Sequence, residues 1–123
     1  MPRHEMLRAH VDRFLQESRA LTDPSLAWRK LELAHVISQP SPWLHTRVHW
    51  AMLRFGLVQR DGREVLGQLF RLSVAALGSA LGRYPVGNTG RARVSAFAPM
   101  SMPPEARAVL EGLRQPSPRN QRQ

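Results

Sequence analysis

The chain has 123 residues, 42% of them hydrophobic, which is enough for one domain with a modest core. It contains no cysteine, and this excludes disulfides, thiolate metal sites and cysteine nucleophiles. The formal net charge is +9, carried by many arginines and a single lysine. The arginines are spread along the chain instead of forming a block, so nucleic-acid binding is not favoured.

Apolar residues recur at three- and four-residue spacings through most of the first 81 positions, and this pattern predicts helices. Proline, glycine and aspartate interrupt the pattern at three places, which define the helix ends. Asp23 or Ser25 is expected to cap the second helix, and Gly56 is expected to end the third. The four predicted main helices cover residues 5–21, 26–37, 43–55 and 63–81.

Beyond the fourth helix the pattern changes. Residues 83–102 are rich in glycine and proline and predict an extended segment that wraps over the helices. A short C-terminal helix is predicted to start near Pro103 or Pro104, because proline suits a first helical turn. The polar residues 115–123 predict a disordered tail, so the expected helical domain covers residues 1–114.

The predicted fold is therefore all-α, with the four main helices forming two antiparallel hairpins. The arrangement is tetratricopeptide-like, because an aspartate-containing turn followed by a helix recurs after 38 residues. Gly78 and Gly82 are four apart on one helix face, which favours tight packing within the domain and also allows an oligomer contact. The most apolar run, residues 72–81, is too short for a bilayer, which needs about 20 residues. With no signal peptide evident, we expect a cytoplasmic protein without a membrane span.

Four side chains around the turn at Pro40 point to a metal site: Glu32, His35, His45 and His49. The first two are three residues apart and the last two are four apart, so each pair shares one face of its helix. An antiparallel hairpin centred on the turn would bring both pairs to one level. Imidazole and carboxylate suit zinc, iron, copper and nickel alike, so the pattern predicts one divalent transition-metal ion without selecting the element.

Two further residues belong to this hypothesis. His10 on the first helix would come level with His35 and is the weakest candidate ligand. Gln68 on the fourth helix would come level with His49 and is a candidate hydrogen-bond partner for that imidazole. Trp28, Trp43 and Trp50 flank the site and are expected to bury area around it.

Other interpretations of the same residues stay open. The histidines can be hydrogen-bonded core residues, and Glu32 can pair with Arg29 or Arg47. In that case the chain would be a tetratricopeptide-like module that binds a protein partner without metal. An open coordination position would instead allow metal-dependent catalysis, with Glu32 as a base. The sequence does not decide whether the protein is an enzyme, and no catalytic residue is identified.

Several longer segments carry a family resemblance. These are residues 33–39, 44–53, 63–69 and 82–95, the last of which includes a distinctive Gly-Asn-Thr-Gly turn. Over about residues 5–113 the chain resembles a small bacterial family catalogued as domain of unknown function 3703. Members are often encoded near heavy-metal resistance and efflux genes, so the resemblance implies a link to metal resistance or homeostasis. It supplies no catalytic residues.

Overall fold

A computed structural model of the protein describes residues 1–81, 91 and 100–114, except for the side chains of residues 75–80. This part of the chain is all-α, with five helices and no strand. The helices are α1 (Arg3–Ala20), α2 (Pro24–Ser38), α3 (Pro42–Val58), α4 (Gly62–Ala80) and α5 (Pro104–Arg114). The prediction of four main helices and a short C-terminal one is confirmed.

Three predicted features fall on positions that the structure does not cover. Most of the extended segment at 83–102 and the whole tail at 115–123 lie outside the described residues. So does Gly82, and Gly78 belongs to the part of α4 whose side chains are not described. Within the segment, the structure describes Arg91 and residues 100–102, which lack regular structure.

Short polar side chains fix the starts of the three inner helices. The Asp23 carboxylate accepts hydrogen bonds from the backbone N–H groups of Ser25 and Leu26, which identifies Asp23 as the cap of α2. Ser41 caps α3 through the N–H of Leu44. At the start of α4 the Asp61 carboxylate accepts from the N–H of Glu64, 3.2 Å away. Each cap satisfies donors that the first turn of a helix leaves without a partner.

The predicted end of the third helix at Gly56 is wrong, because α3 continues to Val58. The turn that follows is made by Arg60, which adopts a positive φ of 55°. Gly56 serves a packing role instead. A β-carbon at this position would lie 3.3 Å from Cβ of Glu64, so the missing side chain lets α3 and α4 approach closely.

The apolar core is built around α2, which packs against α1, α3 and α5. Every residue from 33 to 39 is buried, so this half of α2 is enclosed on all sides. α3 and α4 form the second antiparallel hairpin. Among the described side chains, α4 adds none to the buried apolar cluster, which is drawn from α1, α2, α3 and α5. Whether this arrangement is tetratricopeptide-like stays a prediction.

The length and hydropathy of the helices bear on whether one of them could cross a bilayer. Within the described residues, none combines the length and the apolar character of a membrane-spanning segment.

Candidate metal centre

Three imidazoles meet where α2 and α3 face each other across the Pro40 turn. His35 lies on the last full turn of α2, whereas His45 and His49 lie one turn apart on the first half of α3. Their exposed fractions are 3%, 6% and 2%, so all three rings are withdrawn from water. The i, i+4 spacing on α3 and the tight turn before it place the three rings at one level.

The Nε2 atoms of the three rings converge on one point. The distances between them are 3.1 Å for His35 and His49, 3.0 Å for His35 and His45, and 3.2 Å for His45 and His49. The rings are tilted by 45° to 71° to one another, so they meet through their edges and do not stack. Within the described residues this is the one group of three potential ligand side chains close enough to share a metal ion.

The spacing of the nitrogens suits a metal ion. Zinc binds imidazole nitrogen at about 2.0–2.1 Å, which separates neighbouring nitrogens by about 3.3–3.4 Å in a tetrahedral site and about 2.9 Å in an octahedral one. The observed distances of 3.0–3.2 Å lie between these values. Small side-chain movements would therefore be enough to complete either geometry.

A hydrogen bond from α4 decides which nitrogen of His49 carries its proton. Nδ1 of His49 lies 2.6 Å from the amide oxygen of Gln68, an atom that only accepts, so Nδ1 donates. The amide is itself oriented, because its nitrogen donates to the Glu64 carboxylate at 3.2 Å. The ring is neutral with its proton on Nδ1, and the lone pair on Nε2 points toward the other two histidines.

With the His49 proton on Nδ1, the three rings cannot all be joined by hydrogen bonds between their Nε2 atoms. Three contacts between Nε2 atoms need three N–H donors, and His49 has none to offer at this position. Nε2 of each of the other two rings carries at most one hydrogen. At least one pair of nitrogens therefore faces each other without a hydrogen between them. A cation that accepts all three lone pairs removes this mismatch, which makes the cluster a candidate metal centre.

The electrostatics keep His49 neutral. Burial is the main cause that lowers its pKa from 6.5 to about 3, and the nearby His45 and Arg71 act in the same direction. The hydrogen bond with Gln68 opposes the shift only in part. At neutral pH a metal ion would therefore not compete with a proton for this ring.

A chain of polar contacts that was not predicted from the sequence extends outward from Gln68. Glu64 is fully buried, and its carboxylate accepts from the side chain of Arg91. The Arg91 guanidinium also lies 3.8 Å from the ring centre of Trp28, a cation–π contact. The spacing of Glu64 and Gln68, four apart on one helix face, was the available signal. The position of Arg91 was not predictable, because 26 residues separate it from Glu64 in the sequence.

Glu32 was predicted to join the histidines, and the structure places it elsewhere. Its carboxylate lies 3.5 Å from the Arg91 guanidinium, and the group of close potential ligands contains only the three imidazoles. The alternative pairing of Glu32 with Arg47 is not observed, since Arg47 bonds to Asp12. Burial raises the pKa of the Glu32 carboxyl, although Arg91 and the charge of Arg29 oppose this effect.

His10 also lies apart from the cluster. It contacts Arg13 on the surface of its own helix, where the two side-chain nitrogens are 3.4 Å apart. Burial and the adjacent Arg13 lower its pKa. The expected alignment with His35 is not found, because α1 buries Val11 and Phe14 in the core. His10 therefore lies at the border of the buried face of α1.

Most of the chain matches one protein family. A family model described as "Protein of unknown function (DUF3703)" matches residues 5–110. No curated protein and no solved structure shows significant similarity to the chain. The matched range includes all three histidines of the cluster together with Gln68, Glu64 and Arg91.

Proposed function

The chain belongs to the DUF3703 family of proteins of unknown function, and we propose that it binds one divalent transition-metal ion through His35, His45 and His49. The observation that carries this proposal is the convergence of three buried Nε2 atoms within 3.2 Å of one another. Imidazole nitrogens at this spacing suit zinc, ferrous iron, nickel or cupric copper, all of which bind histidine in proteins.

Three neutral ligands leave the ion with at least one further coordination position. Water, a small anion or a donor from a delivery partner can complete it. Because the cluster is buried, this arrangement supports holding and handing over a metal ion better than turning over a bulky substrate. We propose a role in metal homeostasis or resistance, in the cytoplasm, and no reaction is assigned.

Glu32 is not included in the proposed ligand set. Its carboxylate already pairs with Arg91, and ligation would require breaking that contact. Gln68 is proposed to act through His49: it fixes the proton on Nδ1 and thereby presents the Nε2 lone pair.

The proposal is tested by metal analysis of protein purified without an affinity tag. We expect about one metal ion per chain in the wild type and essentially none in a His45→Ala/His49→Ala double variant. A His4→Ala/His10→Ala double variant is the matched control, since it removes the two histidines outside the cluster and should retain the ion. Equal, negligible metal in the wild type and the cluster variant, after reloading with each of the four metals, would contradict the proposal.

A further inference from the structure

The exposed face of α4 is apolar, which is the reverse of the usual pattern for a surface helix. Among the side chains of α4 that the structure describes, the buried ones are polar, namely Glu64, Gln68 and Arg71, and they lead from His49 to Arg91. No charged residue follows Arg71 on this helix. Large apolar side chains instead point to solvent: Leu66, Leu69, Phe70 and Val74.

The outer side of α3 continues this surface. Trp43, Trp50 and Leu57 recur every seven residues and therefore share one helix face, and each is more than half exposed. The expectation that Trp43 and Trp50 bury area around the site is thus wrong, although Trp28 does so. In the antiparallel hairpin Trp50 and Phe70 are equally far from the turn at Arg60 and so lie at one level. We call Trp43, Trp50, Leu57, Leu66, Leu69 and Phe70 the outer apolar face.

Positive charge lies at one end of this face, around the α3–α4 turn. Between residues 33 and 104 the sequence has eight arginines and only two acids, Asp61 and Glu64. Neither acid offers a free negative charge at the surface, because Glu64 is buried against Arg91 and Asp61 caps α4. Arg54, Arg60 and Arg63, in contrast, are all exposed around the α3–α4 turn.

We propose that the outer apolar face docks the protein on an anionic phospholipid surface. Leucine and phenylalanine side chains enter the boundary between headgroups and acyl chains, and tryptophan favours that boundary. Arginines nearby gain attraction from anionic headgroups.

Two other occupants fit less well. A second copy of the chain would bring two sets of exposed arginines together. A nucleic acid would leave the leucines without contacts, since single strands bind through stacking and charge.

The test uses the full chain with two kinds of vesicle, pure phosphatidylcholine and a mixture with phosphatidylglycerol. We expect sedimentation with the anionic vesicles only, weakening as salt is raised. Fluorescence of the two exposed tryptophans should shift to shorter wavelength on binding, and brominated acyl chains should quench it.

Two variants of the face and one matched control sharpen the test. Leu66→Glu and Phe70→Glu should each lower vesicle partitioning by about tenfold or more. Leu26→Glu changes a leucine on α2 that is 53% exposed and lies away from the face, and it should leave partitioning within about twofold. Circular dichroism verifies that each variant keeps its helix content, and the comparison uses those that do.

Three outcomes would overturn the proposal. One is equal binding to neutral and anionic vesicles, or binding to neither. Another is an equal loss in Leu26→Glu and in the variants of the face. The third is a dimer in light scattering that Leu66→Glu dissociates, which would assign the face to a second copy of the chain.

Discussion

The amide oxygen of Gln68 accepts a hydrogen bond from Nδ1 of His49 across the interface between α4 and α3, at 2.6 Å. Through this contact one helix determines the tautomer of a ring that another helix carries. The oriented lone pair is then available to the cluster. The properties of the candidate centre should therefore depend on α4, although α4 supplies none of the three imidazoles.

Replacing Gln68 by alanine should weaken metal binding without removing a ligand. Loss of the acceptor frees the His49 ring to change tautomer, and changes of this kind typically cost about 10–100-fold in affinity. Competition with a colorimetric chelator measures the effect. Gln16→Ala, an exposed glutamine on α1, is the control and should bind like the wild type. If Gln68→Ala binds metal as tightly as the wild type, metal binding does not depend on this hydrogen bond.

The metal-free protein should lose stability as the pH falls below about 6.5. His49 has a folded pKa of about 3, so the unfolded chain takes up its proton first. Keeping His49 neutral in the folded state therefore contributes fully to the free energy of unfolding above pH 6.5. This contribution is lost progressively toward pH 3, by at most about 1.4 kcal/mol per pH unit. Urea unfolding in the presence of a chelator, at several pH values, provides the measurement.

A His49→Gln variant identifies the residue responsible for this pH dependence. It should show a smaller decrease in unfolding free energy between pH 6.5 and 4 than the wild type. His10→Gln, on the surface of α1, should retain most of the wild-type slope. Equal slopes in the wild type and His49→Gln would assign the pH dependence to other groups.

The buried carboxylate of Glu64 should contribute to stability through its hydrogen bonds. Glu64→Gln keeps the shape but weakens the contact with Arg91, and we expect a loss of about 2 kcal/mol in unfolding free energy. Chemical denaturation at neutral pH measures it. The control Glu111→Gln, exposed on α5, should change stability by less than about 0.5 kcal/mol. A similar small effect in both variants would contradict the role given to Glu64.

The close approach of α3 and α4 should make Gly56 intolerant of a side chain. In a helix interior, alanine usually stabilises relative to glycine by about 0.5–1 kcal/mol. Gly112→Ala, in the last turn of α5, should show part of this gain, because nothing lies within 4 Å of the added β-carbon. At Gly56 the new β-carbon would meet Cβ of Glu64 at 3.3 Å. Since that atom cannot rotate away, α4 must shift, and the gain should disappear or reverse.

Thermal unfolding of both glycine variants provides the comparison. Gly56→Ala should also bind metal more weakly, because a displaced α4 carries Gln68 with it. An equal stabilisation in both variants would show that α3 and α4 can accommodate a β-carbon at position 56 without moving apart.

The sequence predicted the helices well because their ends are marked chemically. Asp23, Ser41 and Asp61 each precede a helix as caps, and Pro40 and Pro42 enforce the turn between α2 and α3. Helical periodicity alone predicts that His45 and His49 share one face of α3. The shortness of the turn between α2 and α3 predicts that they lie near His35.

The parts that sequence did not predict depend on long-range contacts or on side-chain direction. Glu32 shares a face with His35, yet it pairs with Arg91, which lies beyond α4 in the sequence. Gly56 was predicted to end the third helix, but it lies inside α3, where the absence of a side chain allows α4 to pack closely. The tryptophans on α3 were expected to be buried, and only the structure shows which side of that helix faces water.

The polar inner side of α4 has a consequence for how this helix is held. A stripe of leucines would tolerate a small slide or roll of a helix, because apolar contact has no preferred direction. Hydrogen bonds in series from His49 through Gln68 to Glu64 are satisfied in one orientation only. These directional bonds oppose rotation of α4 about its axis, and a roll of one residue would break both hydrogen bonds.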